Sequence, residues 1–303
     1  MPPEQPPAHP PVCDYEGSDY QSSFWDQGGR AYEDAAEEIA LKRLLPRQGK
    51  LLLEIGAGAA RNTPRYQGYE RIVLLDFSRT QLQQAQARLG KSERYVYVAA
   101  NVYEMPFVAG LFDAATMIRV LHHMPDAPKA LVQVRTILQP GGIFILEYAN
   151  KRNLKAIARY ITKRQSWSPF SKEPIEFEKL NFDFHPVAIR SWLADSNFRT
   201  TRHLTVSHFR VDLLKKIIPY KLLASLDALM QPTGALWQYT PSVFVKSQAV
   251  GDSSIAAPGA FFRCPSCGNK LPSGSEENQV INCNSCGKRW AIRDGVYDFK
   301  EPL

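Results

Sequence analysis

Residues 51–61 read LLLEIGAGAAR: an apolar run long enough for one buried strand, then an acid, then Gly56 and Gly58. Glycines placed there let a chain turn tightly from strand into helix and let a ligand lie against bare backbone, at the carboxyl end of the strands where open sheets bind ligands. Working outward, short apolar runs recur at Ile72–Leu75, Tyr95–Val98, Ala114–Ile118 and Ile143–Leu146, and several intervening segments have helical period. The segment from Ser78 to Gly90 has a capping residue at one end and a stop glycine at the other. That from Asp126 ends in the Pro140-Gly141-Gly142 turn. Strands alternating with helices predict an α/β fold, a doubly wound and mostly parallel sheet of Rossmann-like type. An amphipathic pattern over Tyr32–Leu45, closed by Pro46, predicts a helix leading into the first strand.

A lone G-x-G is compatible with NAD, FAD or S-adenosylmethionine, or with a tight turn that binds nothing. Asp76 narrows the choice: it ends the second strand 22 residues after Glu54, where a carboxylate can accept hydrogen bonds from both hydroxyls of a ribose. Glu54 directly before the glycines would repel a pyrophosphate and attract a cationic amino group or sulfonium. Ala60 stands where the last glycine of a dinucleotide fingerprint would be. These features favour S-adenosylmethionine.

The stretch from Tyr97 to Leu146, including NVYEMPF, MIRVLHHMPDAP and LQPGGIFIL, resembles the third to fifth strands of class I S-adenosylmethionine-dependent methyltransferases, particularly the group related to quinone biosynthesis. The resemblance spans roughly residues 30–246. It implies that Glu54, Gly56, Ala57 and Gly58 form the methionine-side loop, that Asp76 with Phe77 grips the ribose, and that Asn101 and Val102 face the adenine. Arg119 would lie beside the methionine moiety. His122 and His123, just past the fourth strand, are the candidate general bases for a hydroxyl acceptor, although an L-x-H pattern is common in that group and looks structural. His185, before Pro186, reads as a helix cap or a surface residue. The aromatic stretch Tyr15–Trp25, with Tyr20, Phe24 and Trp25, reads equally well as a lid over the cofactor or as core packing.

Four of the five cysteines form Cys264-Pro-Ser-Cys267-Gly and Cys283-Asn-Ser-Cys286-Gly, two knuckles fifteen residues apart. Four thiolates in that spacing close a tetrahedral sphere around one structural zinc ion. The following KRWAIRDGVYDF (288–299) resembles the zinc ribbon of the small activator subunit of translation-factor and tRNA methyltransferases. The expected domain plan is a proline-rich disordered tail (1–12), a methyltransferase domain (13–246) with substrate insertions at 151–184 and 209–238, a linker (247–260) and a zinc ribbon (261–303).

Charge is unevenly spread over the 303 residues. Residues 1–150 hold 15 basic and 17 acidic side chains, 151–246 hold 16 and 7, and 247–303 hold 6 and 6. Composition is ordinary for a globular protein, with 44% hydrophobic residues, and no apolar run reaches the length of a membrane span. With neither a span nor a signal-peptide pattern, the expected location is the cytoplasm. The leading expectation is methyl transfer to a small or lipid-like acceptor. RNA is the alternative acceptor, because the middle segment is basic with interleaved aromatics, and a non-catalytic cofactor-binding scaffold is a third reading. Neither the acceptor atom nor the oligomeric state is legible.

Overall fold

The computed structural model describes residues 10–18, 23, 25, 29–252, 254–272 and 279–303. Residues 1–9 of the tail, together with Tyr20 and Phe24, lie outside them. The apolar runs become β1 (Gly49–Ile55), β2 (Tyr69–Asp76), β3 (Tyr95–Ala99), β4 (Phe112–Met117) and β5 (Leu138–Ala149). All are parallel, in the order β3-β2-β1-β4-β5. Each strand is apolar on both sides because both faces are covered: Leu52 and Leu74 point to one layer, Leu53 and Leu75 to the other. The first layer is α1 (Ala31–Leu44) and α2 (Arg79–Leu89); the second is α3 (Ala127–Ile137) and α5 (Pro186–Asp195).

Local signals set the helix ends as expected. The Ser78 hydroxyl accepts from the Gln81 amide at 3.2 Å, Asp126 accepts from the Lys129 amide at 3.0 Å, and His185 caps α5 by accepting from the Val187 amide at 3.2 Å. The helix after Asp126 stops earlier than its sequence pattern. Leu138 already pairs with Phe112 in the sheet, so the Pro-Gly-Gly turn falls inside an irregular start of β5.

The basic stretch after β5 contains α4 (Leu154–Ile161) and a small hairpin, β6 (Ile175–Glu178) with β7 (Asn181–Asp183). Then β8 (Phe198–Val206) lies at the far edge of the sheet and β9 (Ser242–Ala249) inserts antiparallel between β5 and β8. Between them, Pro219 divides the basic apolar segment into α6 (Asp212–Ile217) and α7 (Tyr220–Met230). Asp227 anchors α7 onto α1: buried, it accepts from the Tyr32 hydroxyl at 2.6 Å and from the His208 amide at 2.8 Å.

The cysteine module, expected to form a ribbon beyond a linker, joins the main sheet, and β9 crosses the expected boundary. The strand β9 runs to Ala249, three residues into the expected linker, and the cysteine module adds β10 (Val280–Asn282), β11 (Arg289–Arg293) and β12 (Val296–Asp298) to the same sheet. The pairing is parallel, β12 against β3, with Val296 opposite Tyr97. Phe262 stacks on Phe107 and packs against Phe299, so one continuous core runs from α3 into the ribbon.

Candidate functional site

At the carboxyl ends of β1, β2 and β4 lies a cavity of about 700 Å³, its open mouth included. Gly56, Gly58, Asp76, Phe77, Val102, Arg119 and His123 line it. Gly56 has φ +66°, and a Cβ there would stand 2.1 Å from a Val120 methyl. The glycine is therefore required by both backbone and space.

Asp76 reaches into the loop: its Oδ2 accepts from the Gly58 amide at 2.8 Å and its Oδ1 from the Ser78 amide at 2.9 Å. Burial pushes its carboxyl up to about 6, against the pull of those amides. The carboxylate lines the cavity and keeps acceptor capacity for a ligand hydroxyl.

Three of the predicted cofactor-binding residues do not line the cavity. The Glu54 carboxylate turns the other way, accepting from the Thr63 hydroxyl at 2.5 Å and the Tyr66 hydroxyl at 3.4 Å, and burial pushes it up to about 7. The Asn101 side-chain oxygen accepts from the Tyr103 amide at 2.9 Å, a local cap on the turn that follows. Ala57 is buried and donates its amide to the Leu75 carbonyl at 3.0 Å.

Arg119, two residues beyond β4, has φ +59°. That conformation, uncommon outside glycine, brings its amide to Glu147 at 3.0 Å and its guanidinium to Glu37 on α1, Nε to Oε1 at 2.6 Å. Arg61 also pairs with Glu37, at 2.8 Å, and lies 3.5 Å from the centre of the Trp25 ring. Trp25 thus stands over Arg61 and Arg119, outside the cavity lining.

Of the two histidines, only His123 lines the cavity. Its Nδ1 lies 2.9 Å from the Leu180 carbonyl and its Nε2 3.1 Å from the Tyr15 hydroxyl. A carbonyl only accepts, so Nδ1 carries the proton and Nε2 offers a lone pair to Tyr15. Burial holds His123 below the ordinary imidazole range and does the same more strongly for His122.

Sequence reading missed several contributors. Val12 and Cys13, assigned to the tail or left alone, join Tyr15 in lining the cavity. Glu16 clasps the start of α2, accepting from the Arg79 amide at 2.9 Å and the Thr80 amide at 3.1 Å. Glu33 and Glu37 were legible in principle, since in AYEDAAEEIA they share a face with Ala36 and Ala40 and are wholly buried.

A second cavity, of about 1570 Å³ with its mouth, opens beside the ends of β8 and β9 among Leu154, Arg159, Phe209, Arg210, Trp237 and Tyr239. Glu147, which lines neither cavity, accepts from the amide of Arg119, a residue of the first cavity's wall, and from the Ser242 hydroxyl, at 2.6 Å, next in the chain to Pro241 of the second cavity's wall.

Comparison with known proteins agrees with this layout. Residues 53–146 match the family model described as a methyltransferase domain. The chain carries a class I S-adenosylmethionine-dependent methyltransferase domain. It is 29% identical over 134 residues to the 27-O-demethylrifamycin SV methyltransferase of Amycolatopsis mediterranei, covering 42% of this chain and 49% of that one. With the demethylmenaquinone methyltransferase of Clavibacter sepedonicus it shares 24% over 221 residues, 65% of this chain and 90% of the relative. The chain spans about half or less of the length of the first curated relatives it matches. The same fold occurs in a Haloferax volcanii complex between a methyltransferase activator and a methyltransferase, with TM-score 0.55 and 14% identity over 77% of this chain and 96% of that one.

The four cysteine sulfurs converge within 4.8 Å, with 3.7 Å between those of Cys264 and Cys286 and 3.5 Å between those of Cys267 and Cys283. A tetrahedral ion bonded to sulfur at about 2.3 Å spaces its ligands by about 3.8 Å, so the cluster fits zinc. Gly268 and Gly287, with φ +75° and +73°, close the knuckles by donating their amides to the Cys264 and Cys283 carbonyls.

Proposed function

We propose that the protein transfers a methyl group from S-adenosylmethionine to a small, apolar or lipid-like acceptor held in the second cavity. The observation that carries this reading is a glycine-and-carboxylate cavity at the carboxyl ends of the parallel strands, accompanied by a second cavity with a mainly apolar wall whose neighbouring segment is tied to Arg119 of the first through Glu147. Bound in the first cavity, the cofactor supplies an electrophilic methyl carbon. Asp76 accepts from its ribose hydroxyls, the Gly56–Gly58 loop gives it bare backbone, and Val102 contributes to the wall on the adenine side. Arg119, fixed by Glu37, lies at the methionine end. Glu54, held by Thr63 and Tyr66, supports the loop from behind.

Much of the rate enhancement in such a reaction comes from holding the two reactants in attacking geometry. For a hydroxyl acceptor a proton must also leave. His123 is the group suited to take it: burial keeps it neutral, the Leu180 carbonyl fixes its tautomer, and Nε2 is free to exchange the Tyr15 hydroxyl for that of an acceptor. His122 is assigned a packing role.

The ribbon is read as a built-in activator module closed by structural zinc. Its likeness to the small activator subunit, and a structural neighbour in which a methyltransferase is bound to an activator, support that reading. With four thiolates, the ion has no open position for substrate.

The test is transfer of labelled methyl from S-adenosylmethionine to a panel of phenols, quinols and long-chain hydroxy compounds, alongside total RNA. Label in an apolar acceptor and none in RNA is expected. Label in RNA alone would overturn the small-acceptor reading, and no cofactor binding at all would overturn methyl transfer.

A further inference from the structure

The molecule carries an unusually apolar face on the side of the second cavity. On α4, Leu154, Ala158 and Ile161 recur at i, i+4 and i+7 and are all exposed, Ile161 at 71%. On α7, Leu222, Leu226 and Leu229 repeat the pattern, Leu229 at 77%. The inner side of α7, with Leu223, Ala224 and Asp227, is already spent on α1, so the outer stripe has no role in the core. Between them, Leu213 and Ile217 of α6 are 64% and 70% exposed. These stripes share a rim: the Leu154 amide donates to the Tyr239 carbonyl at 2.9 Å, and Leu154, Val211, Met230, Trp237 and Tyr239 are both exposed and part of the cavity wall. Scattered surface leucines need no explanation, but a contiguous apolar patch does.

The charges around the stripes identify what covers them. Residues 151–172 contain seven Lys or Arg and no acid. Lys155, Arg159, Lys163 and Arg164 flank the α4 stripe in exposed positions, and Lys216 and Lys221 do so around α6 and α7. The acids of 207–240 are Asp212 and the buried Asp227. Apolar stripes bordered by cations on short helices are the pattern of elements that lie in a membrane interface: apolar side chains enter the headgroup boundary and cations meet anionic lipid.

We propose that the face formed by α4, α6 and α7 docks on an anionic lipid surface, with the mouth of the second cavity turned toward the acyl region. The docking stands on the exposed face alone. Only its consequence, that a lipid-borne acceptor enters the cavity without crossing water, rests on the methyl-transfer reading above.

Flotation of the full chain with vesicles tests it. Binding is expected to phosphatidylcholine vesicles containing phosphatidylglycerol and to be much weaker with phosphatidylcholine alone. Replacing Leu222, Leu226 and Leu229 together by serine should lower partition at least about tenfold. Lys155→Glu with Lys163→Glu should lower it by about fivefold per cation removed. None of these residues is in the core, and S-adenosylhomocysteine binding, measured in parallel, shows whether each variant is folded. Failure to float with either vesicle, or equal partition of parent and variants, would overturn the proposal. So would a doubled mass in light scattering that the serine variant abolishes, which would assign the face to a second copy. RNA binding lost in the lysine variant, without vesicle binding, would assign it to nucleic acid. Because flotation reads no turnover, its failure leaves methyl transfer standing, and an inactive protein that floats leaves the docking standing.

Discussion

Asp76 and Glu54 are both buried carboxyls beside the glycine loop, yet they face different partners and titrate with different consequences. Asp76 borders the cofactor cavity, and Asp76→Ala should weaken S-adenosylhomocysteine binding by about ten- to a hundredfold in calorimetry, the scale of two charge-assisted hydrogen bonds. With its carboxyl raised to about 6, affinity should also decline as pH falls below that value, because the protonated form loses an acceptor. Glu54, raised to about 7, holds a proton in the folded state that the unfolded chain has already released above about pH 4.3. Stability from this group therefore falls as pH rises through the window from about 4.3 to 7, by roughly 3–4 kcal/mol in all. The lowered histidines act oppositely below pH 6.5, so the informative quantity is the difference between parent and Glu54→Gln. That variant should gain more thermal stability over the parent at pH 8 than at pH 5, and no gain should remain below about pH 4. At His123, replacement by Asn should lower turnover with a hydroxyl acceptor by about a hundredfold or more and remove the acidic limb of the pH–rate profile. Tyr15→Phe should leave that limb in place.

At the scale of elements, residues 10–18 act as a strap across the cofactor cavity. Val12, Cys13 and Tyr15 form part of the wall, and Glu16 fastens the strap by accepting from the first amides of α2, which have no partners within their own helix. Lys300, from the end of the ribbon, reaches the same carboxylate at 3.5 Å. Glu16→Gln should therefore cost about 0.5–1 kcal/mol in stability. It should also speed release of S-adenosylhomocysteine, measurable by stopped-flow fluorescence. An unchanged release rate would mean that the strap is a static wall. The sequence hinted at this element only through the aromatic stretch that begins at Tyr15; Val12, Cys13 and Glu16 gave no signal, because a short irregular segment has no periodicity and takes its conformation from the surface it crosses.

For the whole molecule, the decisive feature is a sheet of ten strands that continues from the methyltransferase domain into the cysteine module. A chain ending at Lys246 would cut β9 short, leave the edge of β3 unpaired and uncover Phe107, which packs on Phe261 and Phe262. Such a chain should aggregate or melt well below the full protein, since an exposed apolar strand edge invites association. This replaces the expectation, natural from the segregation of the cysteines, of an independent ribbon. Elemental analysis should find one zinc per chain, and Cys283→Ser should lose it. Chelation should lower the melting temperature of the entire protein in one cooperative step, because the ligands Cys264 and Cys283 belong to the shared core. Two separate transitions would show that the ribbon unfolds by itself.

What the sequence determined by itself is local: strands from apolar runs, helix limits from Ser78, Asp126 and Gly90, the tight turn after the first strand from Gly56 and Gly58, and two knuckles that each pair two cysteines. Each of these follows from a few adjacent residues whose conformational limits hold in any surroundings. Only the tertiary structure decided which way Glu54 turns, which of two adjacent histidines meets the cavity, and that β12 pairs with β3. These depend on contacts between residues far apart in the chain, such as Tyr15 with His123 or Phe107 with Phe262. The same holds for the exposed stripes of α4 and α7. Their helical spacing was legible, but an apolar stripe reads alike in sequence whether it is buried or faces outward, and only the packing of α7 on α1 shows which side is left over.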